Sequence, residues 1–262
     1  MRVGLVIEYE GTALHGSQLQ ANARTVQGEL EAALHAIFGE MKRVHLASRT
    51  DAGVHAMGQV AAFDADERLD PETIRKALNR YLPEDIRTRC AQRAPDAFDP
   101  RRQATYREYV YTMNDAPSAP AVFRRTEVHV RHRLDEAAMD DASRVLVGSH
   151  DFAAFAGPAT PDGASTVRRV ESAAVRRKGD RLIFTLRGNA FLHQQVRRTA
   201  AALVAVGRGA MNRDGFESLV ATGGRGAASK VLAPHGLCLN KIGYNDEGSC
   251  GLPQTPAQAE SL

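Results

Sequence analysis

Residues 48 to 63 read Ser48-Arg49-Thr50-Asp51-Ala52-Gly53-Val54-His55-Ala56-Met57-Gly58-Gln59-Val60-Ala61-Ala62-Phe63. Two short apolar runs of strand type, 44–47 and 59–63, flank a polar turn. Within residues 49–55 that turn packs a guanidinium, a hydroxyl, a carboxylate and an imidazole, with Gly53 permitting a sharp bend. The ordinary explanation is a turn in which Asp51 caps its own backbone. The alternative is a reactive carboxylate held between two strands.

Outward from this turn, strand and helix patterns alternate. Residues 3–9 read as a strand. Val26, Leu30, Ala33, Leu34 and Ile37 fall on one helical face, with Thr25 as N-cap and Gly39 as stop. Asp70-Pro71-Glu72-Thr73 starts a second helix, capped by Asp70 and stopped by Leu82-Pro83. Residues 106–113, rich in Tyr, Val and Thr, read as a long strand. A helix follows Asp135, strands cover about 167–177 and 181–188, and a helix over 191–206 carries Leu192, Val196, Thr199, Leu203 and Val206 on one stripe. A last strand covers 237–244. The spacing predicts an N-terminal half over 1–113, a linker over 114–122 with Pro117 and Pro120, a C-terminal half over 123–244 and a disordered tail over 245–262. Strands and helices in each half make the class α+β, compatible with two similar halves sharing a sheet.

Composition narrows the function. With 43% hydrophobic and 25% charged residues the chain is an ordinary globular protein, neither collagen nor a disulfide mini-protein. A formal net charge of +3 excludes a histone-like coating protein, whose whole surface must be basic. There is no Trp, so the core is mostly aliphatic. Cys90, Cys238 and Cys250 lie far apart with no CxxC pair, and they are expected as free thiols. No stretch approaches the ~20 apolar residues of a membrane span and no signal-peptide pattern opens the chain, so a cytoplasmic protein is expected.

Two further stretches carry chemistry. Tyr106, Tyr109 and Tyr111 lie within six residues; Tyr109 and Tyr111 share one strand face, beside Arg101, Arg102 and Arg107. Such rings either pack a sheet face or stack on a nucleobase. Residues 165–198 hold nine basic residues against only Glu171 and Asp180, a local balance of +7 that points to an anionic partner. Arg197 follows Val196 on the apolar stripe, where a guanidinium needs a carboxylate. No GxxxxGK[ST], GxGxxG or GxSxG pattern is present, and neither His150 nor His193 has metal-ligand spacing.

Together these segments resemble the TruA-type tRNA pseudouridine synthase family. The run 49–56, then Gly58-Gln59-Val60 and Phe63, is similar to its nucleophile motif. Phe98-Asp99-Pro100-Arg101, Ala104-Thr105 and Tyr109-Val110-Tyr111 match a second motif. Gly148, His150-Asp151-Phe152, Phe155, Thr166 and Arg168 match a third, and Asn189-Ala190-Phe191, His193 and Val196-Arg197 the one with its basic residue. Ala233-Pro234, Gly236-Leu237 and Leu239 match its C-terminal signature.

The resemblance implies two similar α/β halves around a central mixed, mostly antiparallel sheet flanked by helices, with a basic cleft between them. It implies a homodimer that binds tRNA, needs no metal or organic cofactor, and isomerises uridine to pseudouridine in the anticodon arm, around nucleotides 38–40. By the same resemblance Asp51 is the nucleophile, or the base at C2′ in a glycal route. Tyr109 stacks on the uracil and Arg197 is the basic partner. Arg49, Thr50, His55, Tyr111 and Arg168 are expected to flip or bind the base, and Arg169, Arg176 and Arg187 to meet the RNA backbone.

The chain departs from the family pattern at Glu10, Ser17 (where a Trp is common), Ser48 and His235. The rival readings are a synthase acting on another RNA and an inactive tRNA-binding module. A glycoside hydrolase would need two carboxylates across the scissile bond, where the motif offers one.

Overall fold

The computed structural model describes residues 1–245, 248 and 250–253; the rest of the tail expected over 245–262 lies outside the described residues. Among the described residues ten strands and five α-helices follow one another as β1 (Arg2–Tyr9), α1 (Val26–Phe38), β2 (His45–Leu46), β3 (His55–Asp64), α2 (Pro71–Tyr81), β4 (Ile86–Ala94), β5 (Tyr106–Asn114), β6 (Val128–His129), α3 (Glu136–Arg144), β7 (Gly148–Asp151), β8 (Val167–Lys178), β9 (Arg181–Gly188), α4 (Gln195–Gly207), α5 (Arg213–Thr222) and β10 (Leu237–Gly243). The class is α+β, as expected.

The described residues form two compact units, one of residues 1–105 with those from 239 onward, the other of residues 106–238. The Pro-bearing segment 114–122 lies inside the second.

In the first unit the strand order is β4-β1-β3-β10, with β2 beside β3. β1 runs antiparallel to both β3 and β4. Val3, Leu5 and Ile7 of β1 are fully buried. α1 is delimited as its sequence predicts: Thr25 Oγ1 accepts from Gly28 N, and Gly39 ends the helix. α2 starts with Asp70 accepting from Thr73 N and packs Ile74 and Leu78 into the core.

The expectation of three free thiols is overturned. Cys90 of β4 and Cys250 are joined by a disulfide, their Cα atoms 6.0 Å apart, within the span such a bridge needs. Their separation of 160 residues hides the pairing from any local spacing rule. Leu252, fully buried, and two hydrogen bonds from Gln92 Nε2 to the Leu252 and Pro253 carbonyls seat the same segment beside β4. Cys238 is the remaining thiol.

In the second unit the order is β5-β9-β8-β7, antiparallel throughout, with β6 parallel to β5. Leu182, Phe184 and Leu186 alternate inward along β9. α4 is buried nearly all round, from Thr199 to Leu203. It begins at Gln195, four residues later than the apolar stripe predicts. Gln194 sits at φ 59°, the left-handed region, and breaks the helical path.

Candidate active site

The Asp51 turn is built from the backbone outward. Val54 N donates to Asp51 O at 3.2 Å, closing a four-residue turn. Gly53, at its third position, has φ 78°, which a side chain would strain. The turn bond therefore uses the Asp51 backbone carbonyl. Asp51 itself is half-buried, between exposed Ala52 and buried Thr50.

A buried polar network grips the residues just before Asp51. Ser17, 0% exposed, accepts from Thr50 N at 2.9 Å through its Oγ and donates its own N–H to Thr50 O at 3.1 Å. The Gln59 carboxamide pairs with the Ser48 backbone, receiving Ser48 N at 3.1 Å and donating to Ser48 O at 2.8 Å. Gln59 also donates to the Tyr9 hydroxyl at 3.3 Å, and that hydroxyl shares a 2.8 Å hydrogen bond with Thr50 Oγ1. β1, β3 and the loop before α1 thus hold Ser48 and Thr50 from three sides. The Ser17 departure has a structural use, since its small polar side chain completes this brace. Tyr9 and Ser17 carry no local sequence signal for the role; Gln59 belongs to the recognised motif.

Of the residues expected to touch the base, Arg49 is exposed and, among the described residues, has neither hydrogen bond nor ion pair. Thr50 and His55 are 8% and 7% exposed. His55 Nδ1 accepts from Gly11 N at 2.9 Å, so this ring braces the turn against the chain after β1. Thr50 and His55 are thus bound into the support of the loop.

In the second unit Tyr109 and Tyr111 do share a face of β5, and both are buried. The Tyr109 ring meets Phe191 edge-on at 5.4 Å. Tyr111 is 0% exposed and its hydroxyl donates to Ala233 O at 2.7 Å, so its ring is closed to stacking. Burial pushes the Tyr111 hydroxyl well above its ordinary pKa, against a smaller lowering by the Arg197 cation. Arg197 is half-buried on the first turn of α4, and its Nε donates to Leu232 O at 2.9 Å.

The basic stretch is less bare than its sequence suggests. Arg176 pairs with Asp140 at 2.6 Å, Arg177 with the fully buried Asp115 carboxylate at 2.9 Å, and Arg181 with Glu127 at 2.5 Å. Arg169 and Arg187 share Glu171, and Arg187 also lies over the Tyr106 ring at 3.4 Å. Burial pushes the Asp115 carboxyl up, but Arg177, the Leu134 N–H and Arg133 outweigh it and hold the group below the ordinary 3.8. Arg168 differs. Its Nη1 donates to the Ser165 and Val167 carbonyls, while its buried Nε has no hydrogen-bond partner among the described residues. Burial alone lowers its pKa.

Among the described residues no group of three His, Cys, Asp or Glu side chains is arranged to hold a metal ion. None of their helices is long and apolar enough to cross a membrane.

A family profile described as tRNA pseudouridine synthase matches residues 5–101 and 142–245, which include Asp51 and Arg197. A protein of Roseiflexus sp. (strain RS-1) named tRNA pseudouridine synthase A is 42% identical over 260 residues, covering 97% of this chain and 94% of its own length. A protein of the same name from Geotalea uraniireducens (strain Rf4) is 39% identical, covering 93% of this chain and 99% of its own. Another, from Roseiflexus castenholzii, is 42% identical, covering 94% and 92%. On this breadth of agreement, the chain belongs to the tRNA pseudouridine synthase family.

Proposed function

We propose that this protein converts uridine to pseudouridine in the anticodon arm of tRNA, around nucleotides 38–40. It would work as a cytoplasmic homodimer without metal or organic cofactor. Family membership carries the reaction type, an isomerisation on RNA. The reaction breaks the N1–C1′ bond, turns the uracil and forms a C5–C1′ bond, so no atom is gained or lost and no redox partner is required. The observation that carries the assignment of roles is the buried brace on Ser48 and Thr50, which fixes the backbone beside one half-buried carboxylate, Asp51. Such rigid support is what a positioned nucleophile needs.

In this reading Asp51 attacks C1′ or takes the C2′ proton. Arg197 favours the ionised carboxylate, and Tyr109 faces the uracil and helps remove the C5 proton. Arg49, exposed and uncommitted, enters the space left as the base leaves its stack. Arg168 supplies RNA contact through its half-buried guanidinium, whose charge no carboxylate shares among the described residues. Arg169, Arg176 and Arg187 meet the backbone more weakly, their charge being shared with Glu171 and Asp140.

The test is to incubate the protein with unmodified tRNA transcripts bearing uridine at 38–40 and to map pseudouridine by nucleotide. Product at those positions supports the reading. Product only elsewhere favours a synthase for another site, and tight binding without product favours the inactive module.

A further inference from the structure

Leu232 gives both of its backbone polar groups to one residue. Its carbonyl receives Arg197 Nε at 2.9 Å, and its N–H donates to the Arg197 carbonyl at 3.5 Å. The next carbonyl along, Ala233 O, receives the Tyr111 hydroxyl at 2.7 Å. Three residues on, a Cβ at Gly236 would stand 2.9 Å from Tyr111 Cζ and 2.8 Å from Val128 Cγ2, so the strap lies directly on the ring only because this position is glycine. Tyr111 is fully buried, and its phenol keeps its proton to donate across the working pH range. Adjacent carbonyls of one extended strap are thus claimed by β5 on one side and by the Arg197 side chain on the other.

We propose that Tyr111 is a positioning residue, which acts through the Leu232–Ala233 strap to aim the Arg197 guanidinium. This rests on the reading that Arg197 serves the reaction. Without the phenol, Ala233 O loses its anchor, the strap shifts, and the acceptor that orients Arg197 Nε moves with it. Since Tyr111 is closed to solvent, its loss acts on the chemical step and leaves the RNA-binding surface as it was.

The experiment is a double-substitution cycle in the full-length protein with Tyr111→Phe and Arg197→Lys. The Lys variant keeps the cation but lacks the Nε–H that Leu232 receives. Single-turnover pseudouridine formation and tRNA binding are measured with one transcript, well below each variant's thermal midpoint. Losing one buried hydrogen bond, Tyr111→Phe is expected to slow the single-turnover rate by roughly 5- to 30-fold. Its tRNA Kd stays within about twofold of wild type. Placed on Arg197→Lys, the same change costs less than about twofold, because the coupling it removes is already gone. A Tyr111→Phe protein with the wild-type rate overturns the proposal, as does an equal loss in both backgrounds. A wild-type rate in Arg197→Lys alone places the failure in the reading of Arg197 itself. Gly236→Ala gives a second, independent variant. It lifts the strap while keeping the phenol, and it must reproduce the rate loss without a change in tRNA Kd; a wild-type rate in this variant contradicts the strap.

Discussion

Replacing Ser17 by Ala removes a single oxygen from the brace around Asp51. Ser17 Oγ makes two hydrogen bonds, accepting from Thr50 N at 2.9 Å and donating to Ser48 O at 3.4 Å. Ser48 O keeps its shorter bond from Gln59 Nε2 at 2.8 Å, so that acceptor is still satisfied. Thr50 N–H has no such reserve and is left unpaired in a residue only 8% exposed. A buried donor orphaned in this way costs about 1–3 kcal/mol. In a protein of this size each kcal/mol lowers the thermal midpoint by about 2–4 °C. If about 1.4 kcal/mol of that loss falls on the conformation that presents Asp51, turnover slows about tenfold. Calorimetry and single-turnover pseudouridine formation read the two effects. The exposed Ser118→Ala serves as control, with a change within about 0.5 kcal/mol. A Ser17→Ala protein matching wild type in both midpoint and rate refutes the claim that this side chain holds the loop.

Arg168→Gln should weaken tRNA binding and lower the salt-dependence slope by about one unit, since among the described residues no carboxylate shares its charge. Arg176→Gln should move the slope less, because Asp140 already shares that charge; equal slopes for the two variants would contradict the distinction. The Asp115 carboxyl, held below 3.8, binds its proton more weakly in the folded than in the unfolded state. Its contribution to stability is therefore present above about pH 4 and lost as pH falls through the lowered folded value. Asp115→Asn should flatten the acid limb of a stability–pH curve, and an unchanged acid limb counts against the Arg177 pairing.

What the sequence made legible was local. Thr25 and Gly39 around α1, and Asp70 and Pro71 at the start of α2, are capping signals that act within a turn of their own helix, and the structure uses them so. β4, β7 and α5 were not legible. β4 carries Arg87, Arg89, Gln92 and Arg93 among few apolar residues, and β7 is the polar run GSHD. The start of α4 was misplaced because its stripe continues through residues whose backbone is diverted at Gln194. The Asp51 turn was recognisable from eight consecutive residues. Of its supports only Gln59 falls within the recognised motif; Tyr9 and Ser17 meet Gln59, Ser48 and Thr50 only in the folded chain. The same physics corrected the basic stretch: counting charges nearby in sequence finds Glu171 and Asp180, whereas Asp115, Glu127 and Asp140 reach it from elsewhere. The Cys90–Cys250 bridge is another long-range contact that no spacing rule announces.

The most direct measurement replaces Asp51 by Asn, which alters the carboxylate while keeping its size. Wild-type and variant proteins are incubated with the same tRNA transcript, pseudouridine is mapped by nucleotide, and tRNA affinity is measured alongside. The account predicts no pseudouridine from Asp51→Asn with tRNA affinity close to wild type. Pseudouridine formed by the variant at the wild-type rate would contradict it.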